Sequence, residues 1–436
     1  MEMSLSTDKQ QQGRGQSNAL PMIIVAGLFF ILGFATWLNG SLMPYLKQIL
    51  QLSPFEASLI LFSFYIAVTF TALPSAAVIR KVGYKNGMAL GMATMMIAGL
   101  LFIPAAKTQL FALFLFAQLI MGAGITLLQT AVNPYVVRIG PEESAAARIS
   151  IMGILNKGAG VVAPMVFTAL ILSGFQEVGG DLSQTQIDDM ANSLVLPYLG
   201  MAMFLGLLAL AVKKSPLPEL ASEADSNEQN NDNQGHLKEA LSHPNLALGV
   251  VALFFYVAAE VIAGDTIGTF ALSLGVENYT IMTSYTMVCM VIGYVLGIAL
   301  IPKFISQQAA LTVSAVVGLL LTMGIVFGDN SSFVIANTLL GGVELPDTLV
   351  LIAFLGFANA IVWPAVFPLA LSGMGKLTSV GSALLVMGIS GGAFGPLFWS
   401  LSSTTSLGEQ GGYLVLAPCY LFILFYAVKG CKMKSW

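Results

Sequence analysis

Three ionisable residues, Lys157, Glu260 and Asp265, stand inside long stretches that otherwise carry no charge. Two kinds of chemistry are open to such groups. An acid in an apolar setting can take up and release a proton, or help to hold a cation such as Na+; neutralising it removes a charge from low dielectric. Alternatively, the lysine and one acid form a fixed ion pair. A charge at the centre of a bilayer costs about 2.5–3.5 kcal/mol on insertion scales, so each of the three needs water or a partner. Neutral amides occupy similar apolar stretches: Asn39, Gln129, Asn133, Asn156 and Asn359, with Trp37 and Trp363 nearby in sequence. Amides both donate and accept hydrogen bonds, and a tryptophan offers a flat apolar face, so the set suits a small uncharged solute. Gln129 and Asn133 are four apart and share one helix face, as do Asn359 and Trp363. The competing role for each is structural: bonding a neighbouring helix, or satisfying carbonyls freed by Pro134 and Pro364.

What positions these groups follows from composition. Of 436 residues 56% are hydrophobic and only 9% charged, whereas a soluble domain carries roughly a quarter of its residues as charge. The surface must therefore face an apolar solvent. Charges punctuate the chain into twelve runs long enough to span a bilayer, which needs about 20 apolar helical residues: 15–46, 57–79, 86–106, 108–137, 149–176, 190–212, 240–276, 278–302, 304–328, 348–375, 377–408 and 410–428. None alternates as a barrel strand would, and lipid cannot satisfy open backbone, so helices are expected throughout. The forty-four glycines suit close helix packing. The three cysteines form no metal-binding spacing, and no basic patch points to nucleic acid. No HExxH, GxSxG or Walker A motif is present, and both histidines, His236 and His243, flank the central polar segment, so no enzyme is expected.

Lysine and arginine set the orientation. With the N-terminus cytoplasmic, fifteen of the 18 basic residues fall on the tails and the even-numbered loops, Lys47 and Lys107 fall outside, and Lys157 is in a span. The longest polar interior segment lies at the middle of the chain. The expected division is a cytoplasmic tail over 1–19, a six-helix bundle over 20–213, a cytoplasmic linker over 214–244, a second six-helix bundle over 245–430 and a short tail over 431–436. The halves echo each other: LFFILGFATWLNG from Leu28 and LFFYVAAEVIAGD from Leu253 are offset by 225 residues, and Pro134 and Pro164 are matched by Pro364 and Pro396. Two six-helix halves are the plan of transporters that rock two bundles around a central site. The expected fold is thus an all-α membrane protein of twelve transmembrane helices in two bundles. Pro141-Glu142-Glu143 is expected to start the fifth helix, where acids favour the positive dipole end.

LGFATWLNGSLMPYLK in the first span, LLQTAVNPYVVRIGPEESAAARIS through the fourth and GSALLVMGISGGAFGP in the eleventh resemble the fucose–galactose–glucose:H+ symporter family of the major facilitator superfamily. The resemblance implies a bacterial inner-membrane sugar importer of major-facilitator type. In that family two acids of the N-terminal half are linked to proton coupling; their places here hold Gly40 and Gln129. The LNG and LQ forms look like the glucose/galactose branch, and Glu260 matches that branch's glutamate. Under the 225-residue offset Gly40 falls opposite Asp265, which suggests an acid moved to the other half, with Lys157 as its compensating charge. On this resemblance the expected function is import of a neutral hexose by cation-coupled alternating access. The expected partners are a small neutral sugar, a coupling Na+ or H+, and lipid, with no cofactor, nucleic acid or obligate protein partner. An N-acetylglucosamine or fucose importer and a non-transporting sugar sensor are the alternatives. A possible Na+ site lies near Glu260 or Asp265.

Overall fold

The computed structural model describes residues 19–138, 145–171, 183–218, 238–301, 303–341, 344–374 and 377–436. Most of the expected linker and the expected acidic helix start at Pro141-Glu142-Glu143 lie outside them. Twelve helical segments of membrane-spanning length and apolarity are present among the described residues: Leu20–Ile49, Pro54–Ala72, Tyr84–Thr108, Phe111–Asn133, Ile151–Leu170, Gln184–Lys214, Pro244–Asp265, Tyr279–Leu300, Gln307–Phe327, Asp347–Leu371, Leu384–Ser403 and Gly408–Lys432. They match the twelve uncharged runs in order.

Local chemistry makes the turns. Ser53 caps the second span: its hydroxyl accepts from the Glu56 backbone N–H, the Glu56 carboxylate accepts from Ser53, and Pro54 opens the helix. Gly83 at φ 84° separates the second and third spans, a left-handed conformation that glycine adopts without strain. Such short connections force neighbouring helices antiparallel.

The duplication visible in the sequence reappears in the packing. Span one packs on five, two on four, three on four and on six; correspondingly seven packs on eleven, eight on ten, nine on ten and on twelve. The bundles meet through two further contacts, five on eight and two on eleven, which are each other's counterparts under the same repeat. Small residues permit the closest approaches. A side chain at Gly33 would overlap the Asn156 carbonyl where spans one and five cross, and one at Gly391 would overlap the Phe254 carbonyl where seven and eleven cross. Large exposed apolar side chains such as Phe70, Leu196 and Phe327 cover the outer surface, as lipid requires.

One end of the molecule, the terminal end, carries the start of span one and the end of span twelve; the opposite, distal end carries the loop between spans one and two. Hydrogen bonds between the bundles run from mid-depth to that distal end. Thr168 and Ser41 both meet Thr280, at 2.7 and 2.5 Å; Ser284 donates to the Val161 carbonyl at 2.7 Å; Ser400 donates to Ser58 at 3.0 Å. Lys47 and Glu409 pair at 3.4 Å across the distal mouth. Among the described residues no hydrogen bond joins the bundles toward the terminal end. The distal end is closed.

Candidate functional site

At mid-depth the Lys157 ammonium from span five donates to the Glu260 carboxylate of span seven, joining the two bundles. Each charge sits on an interior helix face, with side-chain exposure of 11% and 8%. Lys157 also lies 4.4 Å from the centroid of the Trp37 ring, a cation–π contact from span one. Tyr256, one turn before Glu260, faces the same carboxylate. Three helices thus surround a single buried cation.

Of the two acids left open as the partner of Lys157, Glu260 is the one it meets, and Lys157 also faces Asp265. Asp265 lies five residues further along the helix, fully buried, with neither carboxylate oxygen hydrogen-bonded. Its Oδ1 lies against Gly40 of span one, so close that a methyl group on Gly40 would come 2.8 Å from it. The 225-residue offset placed these two positions opposite one another, and in space they touch. Tyr65 of span two faces Asp265.

The amides separate into sealed and open groups. Asn39 is 4% exposed and accepts from Gln118 Nε2 at 2.9 Å, between spans one and four. Asn359 is fully buried and accepts from the Tyr420 hydroxyl at 2.9 Å, inside the second bundle. Asn156 is half-buried and donates to the Phe29 carbonyl at 3.4 Å. By contrast, Gln129 is half-buried and Asn133 exposed, and neither has a hydrogen bond among the described residues. Both lie on the terminal-end half of span four. Trp363 is half-buried and stacks on Phe367 at 5.6 Å, whereas Trp37 is 2% exposed. Sequence reasoning missed Gln118, visible as an uncharged polar residue in an apolar run. It also missed Tyr65 and Thr283, whose types gave no signal.

The Asn39–Gln118 bond yields a stability prediction. Gln118→Leu leaves Asn39 buried without its donor, a loss of about 1–3 kcal/mol, so the detergent-solubilised protein should melt several degrees lower. An unchanged melting temperature would show that the amide pair contributes nothing.

Two repeated bundles that meet around a buried ion pair, closed at one end, define a membrane transporter of the rocking-bundle type, not an enzyme. Residues 25–396 match the Major Facilitator Superfamily, and the chain belongs to that family. Among its relatives are the glucose/galactose transporter of Brucella abortus biovar 1 (strain 9-941), 31% identical over 93% of this chain and 92% of its own, and the putative glucose/galactose transporter of Helicobacter pylori (strain ATCC 700392 / 26695), 32% identical over 96% and 98%. The fucose:proton symporter of Escherichia coli has a crystal structure that is 25% identical, superposes with a TM-score of 0.70, and covers 94% of this chain and 98% of its own. These similarities bear out the resemblance to the fucose–galactose–glucose symporters. Among the relatives the fucose transporters are named as proton symporters, which supports H+ of the two coupling ions expected. Among the described residues no group of three His, Cys, Asp or Glu could hold a metal ion.

Proposed function

We propose that this protein imports a neutral hexose of the glucose or galactose type together with a proton, across a bacterial inner membrane with both termini cytoplasmic. The distal end is then periplasmic, and the structure is inward-facing. The observation that carries the reading is the free amide face of span four. Gln129 and Asn133 share one side of the helix, have no partner among the described residues, and lie toward the end where no hydrogen bond joins the bundles among the described residues. Amides of that kind hydrogen-bond sugar hydroxyls in either sense. Lys157, the cation at mid-depth, is already held by Glu260, which leaves no surplus positive charge for an anionic sugar. Similarity to glucose/galactose transporters supports the choice of hexose, and proton-symporting relatives support the ion.

Proteoliposomes loaded with the purified protein should accumulate labelled glucose or galactose under an imposed proton gradient. Accumulation of fucose or N-acetylglucosamine instead would replace the sugar, a response to a sodium gradient alone would replace the ion, and binding without flux would indicate a sensor. Gln129→Ala and Asn133→Ala should each raise KM about two- to tenfold, the worth of one hydrogen bond, with a smaller effect on kcat. Unchanged KM in both would remove these amides from the site.

A further inference from the structure

The helix of span seven ends at Asp265 and resumes at Ile267, leaving the Asp265 carboxylate at the join of the two bundles on the closed, distal side of Glu260. It has no solvent exposure and no hydrogen-bond donor on either oxygen. The groups around it come from every neighbouring element. Gly40 of span one presents bare backbone to Oδ1. Thr283 of span eight gives its hydroxyl proton to the Gly264 carbonyl at 2.8 Å. Tyr65 of span two, Lys157 of span five and Glu260 on the same helix are the titratable groups that face it, and Lys157 is held by Glu260. An ionised carboxylate buried without a donor costs several kcal/mol, whereas the neutral acid costs far less. Charge arithmetic agrees: two carboxylates and one ammonium sum to −1, and a single added proton brings the cluster to zero.

Gly40 and Tyr65 belong to one bundle and Asp265 to the other, so parting the distal end removes two walls of this pocket and admits water. We infer that Asp265 is a proton latch on the distal gate: the distal end closes only over its neutral acid, so each closure carries one proton inward. The carboxylate takes H+ from distal water while that end is open. After closure the Glu260 carboxylate, which faces Asp265 on the same helix, accepts that proton and releases it to water on the terminal side, and the Asp265 carboxylate is restored. This inference rests on the reading as a proton symporter, and names the residue and the moment of proton uptake.

The test needs no sugar, so its failure leaves the hexose reading standing. Spin labels are placed on Gln51→Cys and Thr404→Cys, exposed positions on the distal side of the two bundles, with Cys289, Cys419 and Cys431 replaced by serine. Electron–electron distances across the distal mouth are then measured in detergent. If closure requires one proton, the ratio of open to closed molecules rises by up to about tenfold per pH unit on the alkaline side. Asp265→Asn should stay in the short-distance, closed population at every pH, and Glu260→Gln should keep a pH response. A parent distribution that does not change between about pH 5 and pH 9 overturns the latch, as does an Asp265→Asn variant that follows the parent, or loss of the response in Glu260→Gln alone. If Asp265→Asn does not elute as a folded species, the parent pH series decides by itself.

Discussion

Lys157→Met and Glu260→Gln each abolish proton-driven accumulation and lower the melting temperature sharply, while the double variant melts closer to the parent than either. The physical reason is an asymmetry in buried ion pairs. The intact pair repays its desolvation only in part, but removing one partner strands the other charge in low dielectric, at about 3–5 kcal/mol. Lys157→Met is the harsher of the two, because it strands the Glu260 carboxylate and also removes the contact with Trp37. Glu260→Gln strands the ammonium, which Trp37 still faces at 4.4 Å; a desolvated cation–π contact recovers about 2 kcal/mol. In the double variant neither charge remains to be stranded. The measurement is a double-mutant cycle on thermal unfolding in one detergent, with uptake assayed in parallel. Losses that simply add across the cycle would show that the two side chains are independent, and a transporting double variant would show that the pair serves folding alone.

The helices were legible in the sequence because lipid imposes one requirement that no local context overrides: a spanning segment must be apolar and must satisfy its own backbone. Hence the interruptions by charge, at Arg80 and Lys81 or at Lys213 and Lys214, marked the ends. The repeat was legible for a related reason. Gly40 and Asp265 occupy matched places in helices that lead their halves, and matched places meet at the pseudo-symmetric join. The partner of Lys157 was not legible. Glu260 and Asp265 are five residues apart, so on a helix of 3.6 residues per turn they project about 140° apart. Which of them faces span five depends on how span seven is rotated about its own axis. That rotation is set by close packing at Gly391 and Gly395 against Phe254 and Ala258, a contact between distant segments. The amides show the same limit. Asn39 and Asn133 look alike in sequence, yet one is sealed by Gln118 and the other left free, because the difference lies in which helix stands opposite.

Gly40→Val traps the transporter with its distal end open, and Gly40→Ala does so in part. A methyl group at this position would sit 2.8 Å from Asp265 Oδ1, 2.9 Å from the Gly264 carbonyl, and in overlap with the Thr283 hydroxyl. Two of these three are backbone or a side chain held by a hydrogen bond, since Thr283 is fixed to Gly264, so the neighbours have little room to give. Overpacking of this kind costs typically about 1–3 kcal/mol, and it is charged to the closed state alone, because the distal-open state separates span one from spans seven and eight. A bias of that size shifts the open-to-closed ratio about 5- to 150-fold. Gly40→Ala should therefore lower the turnover of uptake by one to two orders of magnitude while sugar binding from the distal side persists, and the larger valine should abolish uptake. Gly27→Ala on the same helix is the control, since an added methyl there meets nothing within 4 Å. The spin-label distances across the distal mouth check the mechanism directly: the long-distance population should grow from glycine to alanine to valine at a fixed acid pH. Parent-like uptake in Gly40→Val would mean that the two bundles close without bringing Gly40 and Asp265 together, and the carboxylate would then have no wall to part from it.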